Sequence, residues 1–278
     1  MPELPDVEIA RRRLERSLAG ATIRAASCND RWLLRPRSPA HFSRALAGRT
    51  VRSVARRGKW LRLLLDDGTR IFSHLGMTGE WLNADDARSE ARSERARLDV
   101  ARDKHGASSV RYLDSRRFGR LVVSERDITE WTELGPDPLA DGIDVSRFAA
   151  ALQRRRGAIK AVLMDQTVLA GIGNIIATEA LWRARMDPRT PSNRVDGAGA
   201  ARLARALKAE ILHELRMRTR SDDYRQNVFS VYGRAGEACK RCGTTIQRTV
   251  IAGRTTAFCP RCQVRSMKAL HRRRPSSR

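Results

Sequence analysis

Along residues 5–18, Val7, Ile9, Ala10, Leu14 and Leu18 recur at near-helical spacing among charged residues. This pattern predicts an amphipathic helix starting almost at the N-terminus, with Pro5 in its first turn, where a missing N–H costs nothing. From about residue 21 to 125 the pattern turns to that of strands. Trp60–Leu65, the polar turn Asp66-Asp67-Gly68-Thr69 and Ile71-Phe72 predict a hairpin closed on an Asp-Gly turn. Val110–Leu113 and Arg120–Val123 predict two further strands flanking Asp114–Gly119, whereas the polar stretch Asn83–Gly106 predicts an exposed loop or irregular hairpin. Gly135-Pro136-Asp137-Pro138 then punctuates the chain, and the pattern becomes helical over Phe148–Arg155, Ala158–Asp165, Asn174–Arg183 and Ala200–Met217. Gln247–Ile251 and Thr255–Phe258 form a last predicted hairpin around Ala252-Gly253-Arg254, and His271–Arg278 predicts a disordered basic tail.

The 278 residues suffice for about two domains and an appendage. A content of 55 Lys and Arg against 31 Asp and Glu gives a net charge of +24, which points to a polyanionic partner: nucleic acid or an acidic membrane surface. No run approaches the ~18 uninterrupted apolar residues of a membrane span, and the opening Met1-Pro2-Glu3-Leu4-Pro5-Asp6 lacks the pattern of a secretory signal. The expectation is a cytoplasmic, basic globular protein with no membrane partner.

Four of the five cysteines stand as Cys239-x2-Cys242 and Cys259-x2-Cys262, sixteen residues apart. Each pair can offer two thiolates from a tight turn to one tetrahedral ion, and four ligands leave no open position, so one structural zinc is expected and no organic cofactor. Cys28, with no histidine near it in sequence, is expected as a small buried apolar residue. If Met1 is removed, Pro2 becomes a free secondary amine, partly neutral near pH 7 and able to form an iminium with an electrophilic sugar carbon. Glu3 stands beside it as a candidate general acid. Taken alone, Pro-Glu is also an ordinary helix-start dipeptide.

Met1-Pro2-Glu3-Leu4-Pro5-Asp6-Val7-Glu8, Arg56-Arg57-Gly58-Lys59-Trp60, the pair His74–Gly79 with Asp114–Gly119, Asp165–Ile175 and the cysteine segment occur in one order along the chain. Together they resemble the formamidopyrimidine-DNA glycosylase/endonuclease VIII family, from Pro2 to about Gln263, and more closely its formamidopyrimidine branch. The resemblance implies an α+β multidomain fold: an N-terminal β-sandwich with an N-terminal helix, a C-terminal helical domain with a helix–two-turn–helix, and a zinc-finger β-hairpin. The corresponding boundaries are a catalytic domain over 1–126, a linker over 127–135, the helical domain over 136–226, the zinc finger over 230–264 and a tail over 265–278.

The implied activity is that of a bifunctional DNA glycosylase and abasic-site lyase in base excision repair, acting as a monomer on double-stranded damaged DNA. Pro2 is the implied nucleophile, Glu3 the acid and Lys59 a catalytic lysine at the phosphate beside the damaged nucleotide. Met77, Arg116 and Phe118 would fill the void left by an extruded nucleotide. Asn174 would cap its helix while presenting its amide to a phosphate, Arg254 would grip phosphates from the zinc hairpin, and Lys160 is a further candidate DNA contact. His74 is expected to be structural. The resemblance departs at two places: Asp6 stands where the family usually has glutamate, and 218–231 is short for the loop that covers an oxidised purine. The preferred lesion therefore stays open between oxidised purines and oxidised pyrimidines. Two other classes also stay open: a non-catalytic damaged-DNA binder, which would not need Pro2, Glu3 and Lys59 together, and a zinc-ribbon protein, which leaves the first 125 residues unexplained.

Overall fold

The computed structural model describes residues 2–86, 91–102, 106–220 and 229–264. The short stretch expected over 218–231 falls largely on 221–228, and the basic tail on 265–278; both lie outside the described residues. The chain forms two compact units. One takes in the residues up to Gly135 together with Leu215–Arg220, and the other takes in Pro136–Glu214 and the described residues from Phe229 onward.

The first unit opens with α1 (Leu4–Leu18), whose Val7, Ala10, Leu14 and Leu18 lie along one buried stripe. Each fully buried leucine there contributes about 1.5–3 kcal/mol. Strands β1 (Thr22–Cys28), β6 (Glu94–Arg102), β7 (Gly106–Leu113) and β5 (Glu80–Asn83) form one antiparallel sheet in that order. Strands β2 (Val51–Arg57), β3 (Trp60–Leu65), β4 (Arg70–His74) and β8 (Arg120–Ser124) form a second. Alternate residues of both sheets, among them Ile23, Leu98, Tyr112, Leu61, Leu63, Ile71 and Leu121, join the α1 stripe in one apolar core, which makes this unit a β-sandwich with an N-terminal helix. The predicted hairpin is β3–β4, closed at Gly68 with φ +87°. The two strands flanking Asp114–Gly119 are β7 and β8, which belong to different sheets, so the segment between them bridges the sandwich.

Three segments differ from the sequence-based reading. Asn83–Gly106 holds strand β6, in which Ala96, Leu98 and Val100 point inward between Arg97, Asp99 and Ala101. The arginines and aspartate on the outer face dilute the apolar content until the period of two is hidden. Residues 39–46 form α2 (Pro39–Leu46), capped by Ser38, with only Phe42 and Leu46 buried; two apolar anchors are too few to mark a helix by periodicity. Residues 127–135 include the short helix α3 (Thr129–Thr132), whose Trp131 covers Trp60, Phe72 and Val122 on the outer face of the second sheet.

In the second unit, α4 (Val145–Gln153), α5 (Ile159–Met164), α6 (Asn174–Arg183) and α7 (Gly197–Arg220) follow the predicted helical segments, although the last turn of α7 belongs with the first unit. Between α5 and α6 the chain makes two tight turns held by Gln166. Its amide donates to the carbonyls of Met164 and Ile172, and its Oε1 accepts from Gly171 N–H. Strands β9 (Gln247–Ile251) and β10 (Arg254–Phe258) form the predicted hairpin, with Ala252 and Gly253 at φ +48° and +69° in its turn. Among the described residues no helix is long and apolar enough to cross a membrane.

Candidate active site

Pro2 precedes α1, and Glu3 is the N-cap residue of that helix, extended at φ −118° and fully buried. Asp6 fixes this geometry: its Oδ2 accepts Glu3 N–H at 2.7 Å, and its Oδ1 pairs with Arg218 in the last turn of α7. Aspartate is thus long enough for the capping role at a position where glutamate was the expected residue. One turn on, the buried Glu8 carboxylate pairs with Arg12 at 2.8 Å and with Arg56 at 3.0 Å. Burial alone would raise the Glu8 pKa, but hydrogen bonds from Arg11, Arg12 and Arg56 bring it below the usual carboxylate value. Arg56 also donates to Gly58 O at 3.1 Å, so one ion pair ties α1 to the β2–β3 turn. That turn is the two-residue Gly58-Lys59 connection, with Gly58 at φ +57°. Glu8 and Arg56 stand within the sequence motifs but without a role of their own, because an isolated charge in the sequence reads as solvated surface.

His74, at the end of β4, lies 5.0 Å from the Trp60 ring, and its Nδ1 accepts from Gly76 N–H at 3.1 Å. Burial first, then the charges of Lys59 and Arg120, push its pKa down to about 4, so the ring is a neutral acceptor at pH 7. It shapes the turn into Met77.

The loops bearing Met77 and Arg116–Phe118 are packed against each other. Gly76, at φ +62°, lies where a Cβ would run into the backbone of Phe118 and Gly119. Asp114 is the clasp between them, fully buried. Its Oδ1 accepts from the Thr78 hydroxyl at 2.5 Å and from the N–H groups of Arg116 and Arg117, and its Oδ2 accepts from Gly119 N–H at 2.7 Å. Arg117 holds a positive φ of 58° and donates twice to Asp30, at 2.6 and 2.8 Å. Two side chains therefore stand out from this base: Phe118 is 55% exposed, and the Arg116 guanidinium lies 5.1 Å from its ring centre. Cys28 is buried and its thiol donates to Asp30 O; burial raises its pKa, as befits an inert thiol.

In the second unit, Asn174 is the first residue of α6 but does not cap it; Gly173 occupies the cap without a side-chain bond. The Asn174 Oδ1 instead accepts from Lys160 Nζ at 2.5 Å, and its Nδ2 donates to Thr255 O at 3.3 Å. Lys160, a candidate DNA contact in the sequence, lies in the interior instead. It is fully buried, with Nζ also donating to Thr256 Oγ1 at 2.6 Å and Thr255 O at 3.4 Å. A buried ammonium with its donors spent inside cannot reach a phosphate; it locks Asn174 onto β10, the strand that opens with Arg254. Arg254 itself is exposed beside the hairpin turn. Glu179, unremarked in the sequence, accepts the N–H groups of Ser230, Val231 and Tyr232 within 2.9 Å and so anchors the entry to the zinc segment on α6.

The sulfur atoms of Cys239, Cys242, Cys259 and Cys262 all lie within 4.8 Å of one another. Backbone N–H groups of Arg241 and Cys262 point at Cys239 and Cys259 sulfur, and Gln263 braces the Cys259 N–H at 2.8 Å. Tetrahedral zinc with ~2.3 Å sulfur bonds places its thiolates a little under 4 Å apart, so the donor set fits one structural zinc.

Family models match along most of the chain: the Formamidopyrimidine-DNA glycosylase N-terminal domain at residues 1–121, the Formamidopyrimidine-DNA glycosylase H2TH domain at 134–223, and the zinc finger found in FPG and IleRS at 236–264. A formamidopyrimidine-DNA glycosylase of Salinispora arenicola is 38% identical, over 97% of this chain and 99% of its own. A structure of MutM in complex with DNA containing carbocyclic 8-oxo-G superposes with a TM-score of 0.84 at 30% identity, covering 94% of this chain and 99% of that one. Lactococcus lactis Fpg in complex with DNA containing an oxidised pyrimidine gives 0.84 at 30% identity, with the same coverage. The zinc-finger match and the four gathered cysteines together assign one structural zinc, and the chain belongs to the formamidopyrimidine-DNA glycosylase family of DNA-repair enzymes.

Proposed function

We propose that the protein is a bifunctional glycosylase and abasic-site lyase whose nucleophile is the Pro2 amine. The observation that carries the reading is the N-terminus itself. Pro2 stands just outside α1, half-buried, and is followed by a fully buried carboxylate whose backbone N–H is clamped by Asp6. The neutral amine attacks the anomeric carbon of an extruded nucleotide, the glycosidic bond breaks toward the base, and a proton carried by Glu3 opens the sugar ring at its oxygen. The resulting iminium acidifies the adjacent C2′ hydrogen. Loss of that proton expels the 3′ phosphate, a second elimination expels the 5′ phosphate, and water releases the amine. Lys59 serves the phosphate beside the lesion, while Met77, Arg116 and Phe118 occupy the vacated stack and offset an extrusion cost of a few kcal/mol. Asn174 and Arg254 grip flanking phosphates. In this division of labour residues 1–126 perform the chemistry, and the helical segment 136–226 and zinc finger 230–264 hold the DNA.

Oxidised purines are the proposed substrates, in keeping with the family's name and the 8-oxo-G complex of a relative. A second reading, oxidised pyrimidines, draws on the complex formed by the Lactococcus lactis relative. A panel of duplexes carrying single lesions, assayed for strand cleavage, separates the two. Glu3→Gln tests the roles: base excision should fall by about 10²–10⁴-fold while cleavage of a preformed abasic site suffers less. Equal losses on both substrates would take the acid role away from Glu3.

A further inference from the structure

Among the described residues, the tryptophan, tyrosine and phenylalanine rings that stand more than half out of the protein are two, Phe118 and Trp32, each 55% exposed. Each carries an arginine. The Arg116 guanidinium lies 5.1 Å from the Phe118 ring centre, and that of Arg35 lies 3.0 Å over the Trp32 indole. The first pair belongs to the candidate lesion site; nothing in that account uses the second. Among the described residues no carboxylate pairs with Arg35, although the protein satisfies many of its other arginines with ion pairs.

The second pair is not a floppy tip. Leu33 and Leu34, between Trp32 and Arg35, are 3% and 1% exposed and anchor the segment in the sandwich core. Leu33 O accepts from Leu121 N–H of β8 at 2.8 Å, and Arg37 N–H closes the turn on Leu34 O at 2.8 Å. Asp30 joins this segment to the candidate lesion site. Its Oδ1 accepts Trp32 N–H at 3.0 Å, and its two oxygens hold the Arg117 fork, one residue from both Arg116 and Phe118. Asp30 is 4% exposed, and the Arg117 hydrogen bonds hold its carboxyl below the usual range, so the link persists as an ion pair at neutral pH. One buried carboxylate therefore links the two segments that carry the arginine–aromatic pairs.

Resting on the proposed function above, we infer that Trp32 and Arg35 form a second DNA-contacting platform, which takes a phosphodiester and its adjoining deoxyribose outside the lesion. The chemistry of the pair fits that ligand. A guanidinium stacked on indole has its plane fixed and one face shielded, while its N–H donors stay at the edge, where a phosphate accepts two at once. The bare part of the indole offers a flat apolar surface to a sugar or an unstacked base. Because Leu33, Leu34 and Asp30 already hold the segment, little ordering entropy is lost on contact. The net charge of +24 and continuity with the Arg116–Phe118 loop favour DNA over an apolar protein partner.

The test compares the full-length protein with its Trp32→Ala, Trp32→Phe and Arg35→Ala variants. The probes are a long duplex bearing one central tetrahydrofuran abasic analogue and the same duplex trimmed to the pairs around the analogue. Zinc content and thermal midpoint report folding, which substitution of exposed side chains should leave intact. On the long duplex Trp32→Ala should weaken binding by about five- to a hundredfold, Trp32→Phe should restore most of it, and Arg35→Ala should reduce the slope of log affinity against log salt by about one. On the trimmed duplex all four proteins should bind alike. Wild-type affinity retained by Trp32→Ala on the long duplex would overturn the inference, as would an equal loss on both duplexes, which would put Trp32 at the lesion. A wild-type protein that binds the duplexes but neither cleaves nor cross-links lesion DNA would defeat the catalytic reading alone. Wild-type protein that binds neither duplex would defeat both.

Discussion

Lys160→Met separates a phosphate contact from a positioning role. The substitution keeps the length of the side chain and removes every donor. In the native structure Nζ makes two short bonds, to Asn174 Oδ1 at 2.5 Å and Thr256 Oγ1 at 2.6 Å, and a longer one to Thr255 O at 3.4 Å. Hydrogen bonds to a charged donor contribute about 1.5–3 kcal/mol each, so the two short bonds alone account for a gross loss of roughly 3–6 kcal/mol. Burying the ammonium costs several kcal/mol in the first place, so global stability should change by no more than about 2 kcal/mol. The effect falls locally: Asn174 loses the partner that orients its amide, and β10 loses its tie to α5. If Asn174 then no longer meets its phosphate, affinity for a lesion duplex should drop about 10- to 100-fold, at 1.4 kcal/mol per decade. The slope of log affinity against log salt should stay at its wild-type value, because no phosphate-neutralising charge has been removed. Fluorescence anisotropy between about 50 and 200 mM salt reads both quantities, and six neutralised phosphates would cost the wild type roughly a thousandfold over that range. A slope lowered by about one would refute this reasoning and return Lys160 to direct phosphate contact.

Cys259→Ser should abolish stoichiometric zinc and, by releasing the Arg254 hairpin, weaken duplex binding by about tenfold or more; unchanged metal content would refute the four-thiolate site. Asp114→Ala strands the N–H groups of Arg116, Arg117 and Gly119 and should destabilise the protein by about 2–5 kcal/mol in denaturant unfolding, whereas a loss under about 1 kcal/mol would mean that water satisfies them. His74 has a folded pKa of about 4 against an ordinary 6.5, so the unfolded chain binds the extra proton between those values. Its contribution to stability is therefore complete above pH 6.5 and falls away as the pH drops toward 4. His74→Gln, which keeps an acceptor for Gly76 N–H, should lose about 3 kcal/mol less than the wild type across that window; identical acid limbs would show that His74 does not titrate this way.

What the sequence made legible follows from how local each signal is. The α1 stripe, the Asp-Gly hairpin, helix α6 and the cysteine hairpin are each written within about twenty residues by period, turn chemistry or ligand spacing. Strand β6 was hidden because its outward residues are charged, and β1 because its register shifts between Ile23 and Ala25, which breaks the alternation. The motifs placed the candidate catalytic and void-filling residues, yet the carboxylates that hold them in place were silent. Asp114 reaches back 36 residues to Thr78, and Arg117 reaches back 87 to Asp30; no local pattern encodes such pairings. Lys160 misled for the complementary reason. A lysine in a basic sequence reads as surface, and only the folded contacts of α5, α6 and β10 show that its charge is spent inside.

The central claim is that the α-amine of Pro2 is the nucleophile, and borohydride trapping tests it most directly. Protein beginning at Pro2 should become covalently linked to abasic-site or lesion duplex on reduction, and peptide mapping should place the link at residue 2. Protein that retains Met1 or carries an N-terminal tag has an amide at that nitrogen and should trap nothing, even though it still binds the duplex. Full-rate cross-linking and cleavage by the blocked protein, with the link mapped to another amine such as that of Lys59, would contradict the account.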